Sequence, residues 1–384
     1  MNLFPTGAAK RMSDEAKLQK ELDKKNGVIR LKPNLVPQAY PGLNRIGVMN
    51  SRLGRLGYAS ERWIACCVRR LRRLSSEPKS SNAGLSVIHL ETSRHDMLLG
   101  DAFDLFPARM LGRNFARANG NTLGFMLGIL DVGYPIFSHI HPPRDESYYF
   151  LQHPIASGPL PYSHLGLHPG TKPSHMLECL KRWSDDKALD LSPAYRLNTG
   201  EGFYTRAGVP HAPGTALTLE LGEDSDEYHI LQAEYMGKLF SRRSFLLKDL
   251  KNEEAVVKLI NFEVSTNPHY YQKYHLTPEP VTKKQEGKCS ERWIYSPRST
   301  RKYSGKELIV KPGAKVRCKE EGAHPLLIWR GRGVVEQTRV RAHLGQDELF
   351  ITKETAEAGY TVENTGNTWL VAYKTFGPNV YSET

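Results

Sequence analysis

The chain has no apolar run of about 18 residues, so no segment reads as a membrane-spanning helix, and no membrane partner is expected. Its first residues, Met1-Asn2-Leu3-Phe4-Pro5, lack the apolar centre of a secretory signal, which makes the cytoplasm the expected location. Cysteine is scarce and odd in number: Cys66, Cys67, Cys179, Cys289 and Cys318, with no CxxC pair. A disulfide framework and a cysteine zinc site are thereby disfavoured, and buried free thiols are the ordinary reading. An excess of charge of one sign is missing from most of the chain. The net +12 resides almost wholly in residues 1–80, which hold 17 of the 53 Lys+Arg but only 6 of the 41 Asp+Glu. The densest basic cluster, Arg69-Arg70-Leu71-Arg72-Arg73, has no interleaved aromatics. It reads as a solvated surface loop rather than a nucleic-acid site, and no nucleic-acid partner is expected.

What is present suits a mainly β protein of two units. The length of 384 residues is comfortable for two domains, and 24 prolines with 32 glycines imply many turns. Residues 1–27 read as a polar N-terminal arm, with a charged helix near 14–25. Residues 28–276 read as a first β unit, interrupted by an insertion loop at 68–83 and helical patterns at 97–118, 173–184 and 242–260. In 173–184, Pro173 opens a helix whose Met176, Leu180 and Trp183 form a core-facing stripe. A Pro/Lys/Glu-rich linker at 277–288 leads to a second β unit at 289–384.

The chemistry concentrates in Ser138-His139-Ile140-His141-Pro142-Pro143-Arg144-Asp145-Glu146-Ser147-Tyr148. Two histidines two residues apart on a strand project from one face. Glu146 follows a Pro-Pro turn and opens an aromatic-rich strand expected to return alongside the first, with Tyr148 on the same face as Glu146. A fourth ligand, His211, trails the strand and turn Gly202-Phe203-Tyr204-Thr205-Arg206-Ala207-Gly208-Val209-Pro210. Three imidazoles and one carboxylate suit a single divalent ion, zinc first, with manganese, iron or nickel also compatible. The HxHx4E spacing and the Gly-Val-Pro-His turn resemble the two motifs of the cupin superfamily. That resemblance implies two cupin barrels of the double-stranded β-helix (jelly-roll) type with a few helices. His324 in the second unit has no partner histidine two residues away, so that barrel reads as degenerate.

The order of landmarks also resembles the type I phosphomannose isomerases over most of the chain. Leu31-Lys32-Pro33, Ser60-Glu61-Arg62-Trp63, Ser138-His139-Ile140-His141-Pro142, Arg144-Asp145-Glu146, Gly208-Val209-Pro210-His211-Ala212, Leu219-Glu220-Leu221 and Ser225-Asp226 stand where that family has its motifs. His139 occupies the place of a ligand glutamine, and Arg144 that of a lysine. An arginine expected after the Ser-Asp pair is absent, with Ile230 near its position. The resemblance implies a metal-dependent aldose–ketose isomerase that moves a proton between adjacent carbons through an enediol. Glu220 would be the base. Arg144 would hold an anionic or enediolate oxygen, and Tyr148, Lys172 and His229 would contact a carbohydrate substrate. The same ligands would permit an iron-dependent cupin oxygenase, and a non-catalytic sugar-binding cupin is the third reading. Cupins often pair through barrel edges, so a homodimer is compatible.

Overall fold

The computed structural model describes residues 7–45, 59–71, 84–152, 158–242, 250–281 and 287–381. Most of the expected insertion loop at 68–83, including Arg72 and Arg73, lies outside these residues, as do 243–249 and 282–286. The fold is mainly β, and among the described residues its four larger sheets stack in layers around three large apolar cores. The outermost layer is a five-stranded sheet in the order Ala194–Arg196, Tyr162–Leu165, His211–Ala212, His139–Ile140, His229–Ile230. It faces a seven-stranded sheet in the order His275–Leu276, Gly202–Thr205, Glu146–Phe150, Thr218–Gly222, Met126–Leu130, Ala59–Ile64, Leu35–Pro37. Phe137, Ile140, Tyr148, Phe150, Phe203 and Val209 fill the space between these two sheets. The helix Pro173–Arg182 adds Met176 and Leu180 to that core, as its spacing predicts.

Side chains alternate along each strand, so the seven-stranded sheet has a second face. Tyr149, Leu219 and Leu221 leave the first barrel on that side and meet Tyr295, Leu327, Phe350 and Tyr373 of a nine-stranded sheet. The nine-stranded sheet in turn packs on a four-stranded one (Lys315–Cys318, Tyr360–Asn364, Arg332–Val335, Thr338–Arg341) around Leu308, Val316, Leu326, Ile351 and Val362. This is the second barrel.

Three expectations are revised. The N-terminal stretch carries its expected helix, over Gly7–Lys24, but it is not a detached arm: Leu18 and Leu22 are fully buried in the core between the barrels. The strand Val28–Leu31 pairs with Glu348–Ile351 of the second barrel, because Val28 fits that barrel's core while Ile29 and Leu31 fit the inter-barrel core. Residues 97–118 are three short helices, Leu99–Leu105, Pro107–Met110 and Arg113–Ala118. Pro107 starts the second, and Gly112, at φ +86°, separates it from the third. Among the described residues, no helix is long and apolar enough to cross a membrane.

Candidate metal centre and its cavity

His139 and His211 sit opposite each other on neighbouring antiparallel strands, with ring centroids 4.1 Å apart. Gly208 makes the approach to His211 possible. Its φ is +75°, and a side chain there would lie 2.4 Å from the Leu259 carbonyl oxygen. His141 lies just past the end of the His139–Ile140 strand. Each imidazole is held from behind: Nδ1 of His139 lies 2.8 Å from the Phe137 carbonyl, that of His211 2.9 Å from Val209, and that of His141 2.7 Å from Glu227. A carbonyl only accepts, so each Nδ1 carries the proton and each Nε2 presents a lone pair. The three histidines are buried, with ligand atoms all within 4.8 Å of one another. Burial, with the His211 imidazole beside it, holds His139 down to about 3; burial and the Arg144 charge likewise lower His141.

Glu146 does not return alongside the histidine strand as expected. The turn at 141–145 crosses the barrel, and Glu146–Phe150 pairs with Gly202–Thr205 and Thr218–Gly222 in the opposite sheet. The carboxylate therefore faces the histidines across the core, Oε1 2.9 Å from His211 Nε2 and Oε2 3.6 Å from His141 Nε2. Lone pairs meet a carboxylate with no proton between them, and His211 Nε2 is buried without a hydrogen-bond partner. This arrangement of acceptors fits a cation, and its three nitrogens and one carboxylate fit a divalent one.

Around Glu146 lie the other groups singled out by sequence. Tyr148 donates its hydroxyl to Glu146 Oε1. Arg144 bridges two carboxylates, Nη2 donating to Glu146 Oε2 at 2.7 Å and to Glu220, while Nη1 donates to the Ser225 carbonyl at 2.8 Å. Its donors are thus engaged by the protein. Burial opposes ionisation of Glu146, yet the imidazoles of His141 and His211 and the Arg144 guanidinium hold its carboxyl well below the usual range. Glu220 behaves oppositely: burial and the Glu146 charge raise it well above that range, against the pull of Arg144.

His139, His141, Arg144, Tyr148 and Glu220 line a cavity of about 60 Å³. Lys172 and His229 do not. Lys172 is exposed at the start of the helix Pro173–Arg182, and His229 is buried on the strand beside His139–Ile140, 3.6 Å from the Glu227 carboxylate. The cavity wall also holds Glu61, Trp63 and Asp226, which the sequence offered only as motif landmarks with no role in the site. Glu61 accepts from Tyr40, from Gln38 at 3.0 Å and from Trp63 at 2.6 Å. The period-two spacing of Glu61 and Trp63 was the available signal. Asp226 accepts from the Leu71 backbone at 2.8 Å, and burial raises its carboxyl to about 6. A larger open groove, about 1500 Å³, runs beside the N-terminal helix and residues 108–119, but its Arg109 and Lys353 are paired with Asp23, Glu354 and Glu357.

A β-rich cupin fold with a buried three-histidine group inside its first barrel is the class these features define. The chain matches no protein-family model and no curated protein sequence. Solved structures share its fold over nearly their whole length. A protein of Archaeoglobus fulgidus described as a candidate mannosephosphate isomerase aligns at TM-score 0.64 and 14% identity, covering 91% of this chain and 97% of that one. A variant of the phosphomannose isomerase of Salmonella typhimurium aligns at TM-score 0.61 and 14% identity, covering 92% and 100%. A zinc-bound mannose 6-phosphate isomerase aligns at TM-score 0.61 and 13% identity, with the same coverage. The fold is therefore that of a phosphomannose isomerase-like cupin.

Proposed function

We propose that the protein is a divalent-metal-dependent aldose–ketose isomerase acting on a sugar or sugar derivative, with His139, His141, Glu146 and His211 as ligands and zinc as the ion. The observation that carries this reading is the set of three inward-facing Nε2 lone pairs opposite Glu146, placed beside a raised carboxyl group in one cavity. The bound ion would supply Lewis-acid polarisation of adjacent substrate oxygens.

Isomerisation then needs one group that takes a proton from the carbon next to a carbonyl and returns it to the neighbouring carbon. Glu220 is that group. Burial and the Glu146 charge raise its carboxyl, which favours its holding the proton between the two halves of the transfer. Arg144 positions Glu220 and Glu146 against each other through its Nη2 and holds a positive charge beside the developing enediolate. Tyr148 fixes the Glu146 carboxylate. Trp63, Phe137 and Tyr228 wall the cavity. Lys172 and His229 have no part in this scheme.

Elemental analysis of purified wild type beside the double variant His139→Ala/His211→Ala tests it, with both samples then assayed against aldoses and ketoses in free and phosphorylated form. Stoichiometric metal and isomerisation in wild type, both lost in the variant, are expected. Metal without isomerisation would shift the reading to an iron-dependent oxygenase or a sugar-binding cupin. No metal in wild type would sink it.

A further inference from the structure

The turn that brings Glu146 to its place is tied to a residue of the second barrel. Asp145 is buried, and its carboxylate joins three segments. Oδ1 accepts from the Ala207 backbone at 2.7 Å, at the head of the turn Ala207-Gly208-Val209-Pro210 that delivers His211. Oδ2 accepts from the Tyr204 hydroxyl, on the strand Gly202–Thr205, and lies 3.0 Å from Lys302 Nζ. The Asp145 backbone bonds reciprocally with Glu223, just past the Thr218–Gly222 strand that carries Glu220. The Asp145 N–H donates to Glu223 Oε2 at 2.8 Å, and the Glu223 N–H donates to the Asp145 carbonyl at 3.1 Å. Lys302 closes the group by donating to the same Glu223 oxygen at 2.7 Å.

Lys302 comes from the connection between the strands Cys289–Tyr295 and Ser304–Val310 of the second barrel. Next to it, the Tyr303 hydroxyl lies 3.1 Å from that of Ser147. Arg206 also stands near Asp145, but it is exposed and its side chain bonds to Tyr274. Lys302 is partly exposed, yet it faces a buried carboxylate whose desolvation it offsets. Without that ammonium, Asp145 gains by turning toward water, which releases Ala207. We propose, resting on the metal ligands proposed above, that Asp145 and Lys302 are positioning residues for the metal centre. Lys302 anchors Asp145, and Asp145 fixes the Glu146 turn against the His211 turn, so the 2.9 Å between Glu146 Oε1 and His211 Nε2 is set before an ion arrives.

The experiment is competition between the full chain and a chelating dye for zinc at neutral pH, with each metal-free protein first confirmed as folded by circular dichroism. Asp145→Asn should raise the zinc Kd at least about tenfold, the effect typical of partners that orient metal ligands. Lys302→Met should raise it about threefold or more, a smaller effect because the lysine is partly exposed. Lys302→Arg keeps the charge and should restore the wild-type Kd. In the Asp145→Asn background, Lys302→Met should add almost nothing, since the lysine acts through that carboxylate. Arg292→Gln gives the contrast: it removes another link between the barrels, from Arg292 to the Tyr149 hydroxyl at 3.1 Å, and should leave the zinc Kd unchanged. Should Asp145→Asn not fold, Lys302→Met and Lys302→Arg decide alone. A wild-type Kd in Lys302→Met overturns the inference and leaves the metal ligands standing. Equal weakening in Lys302→Met and Arg292→Gln overturns it too, since any loosening between the barrels would then suffice. Additive effects of Asp145→Asn and Lys302→Met also count against it. No zinc bound by wild type would overturn the metal ligands and this inference together.

Discussion

Each imidazole in the cavity is fixed by a backbone carbonyl on its outer nitrogen, so its donor atom is aimed before any ion arrives. Glu146 and Glu220 differ because their neighbours differ: two imidazoles and a guanidinium for one, burial beside another carboxylate for the other. The expected outcome of Glu220→Gln is a kcat about 10²–10⁴-fold lower with unchanged metal content, as for loss of a positioned base. Elemental analysis beside steady-state kinetics checks it; full activity in the variant would remove Glu220 from the proton path. The grouping of His139, His141 and His211 was readable because histidines at strand spacing and a trailing Gly-Val-Pro-His are local patterns. Glu61 and Asp226 stood in motifs of the resemblance, but their place in the cavity wall was not readable, because a carboxylate becomes part of a cavity only when the sheet order places it there.

The strand Ala59–Ile64 shows how an element serves two spaces at once. Glu61 and Trp63 face the cavity, while Arg62 turns toward the second barrel, its guanidinium 2.7 Å from Asp347 and 2.6 Å from Glu348. All three members of that group are buried. Replacing Arg62 by Met would leave two buried carboxylates unpaired and should destabilise the protein by about 3–5 kcal/mol, measured by urea unfolding. Burial pushes the Glu348 carboxyl up from 4.5 to about 7, against the pull of Arg62. The folded state thus holds that proton more tightly than the unfolded chain. Its contribution is complete below about pH 4.5 and is lost as pH rises through 7. Glu348→Gln should therefore gain stability relative to wild type between pH 5 and pH 8, followed as the difference in Tm. A difference that stays flat would show that Glu348 is ionised throughout. The sequence did not announce this strand, since Ala-Ser-Glu-Arg-Trp-Ile has neither an apolar run nor clean alternation. The strand Gly202–Thr205, rich in β-branched and aromatic residues, lies at its expected position.

At the scale of the whole molecule, the two barrels share one buried seam. The chain enters through the strand Val28–Leu31, which lies in the nine-stranded sheet between Glu348–Ile351 and Val87–Leu90. Tyr149, Leu219 and Leu221 belong to strands that carry Glu146, Tyr148 and Glu220 on their other face, and they are covered by Tyr295, Leu327 and Tyr373. The Tyr295 hydroxyl also donates to the Leu219 carbonyl at 2.6 Å. A chain cut after residue 276 would lose one of the two hydrogen-bonding partners of its first strand and expose several large apolar side chains, each worth about 1.5–3 kcal/mol when buried. Those losses together exceed the usual margin of stability of about 5–15 kcal/mol. Residues 1–276 alone should fail to form a folded, metal-binding barrel, and the full chain should unfold in a single calorimetric transition. Two resolved transitions, or a soluble 1–276 fragment that retains stoichiometric metal, would show that the first barrel stands without the second. A single transition would mean that the second barrel, although it holds none of the proposed ligands, supports the sheet on which Glu146 and Glu220 are placed.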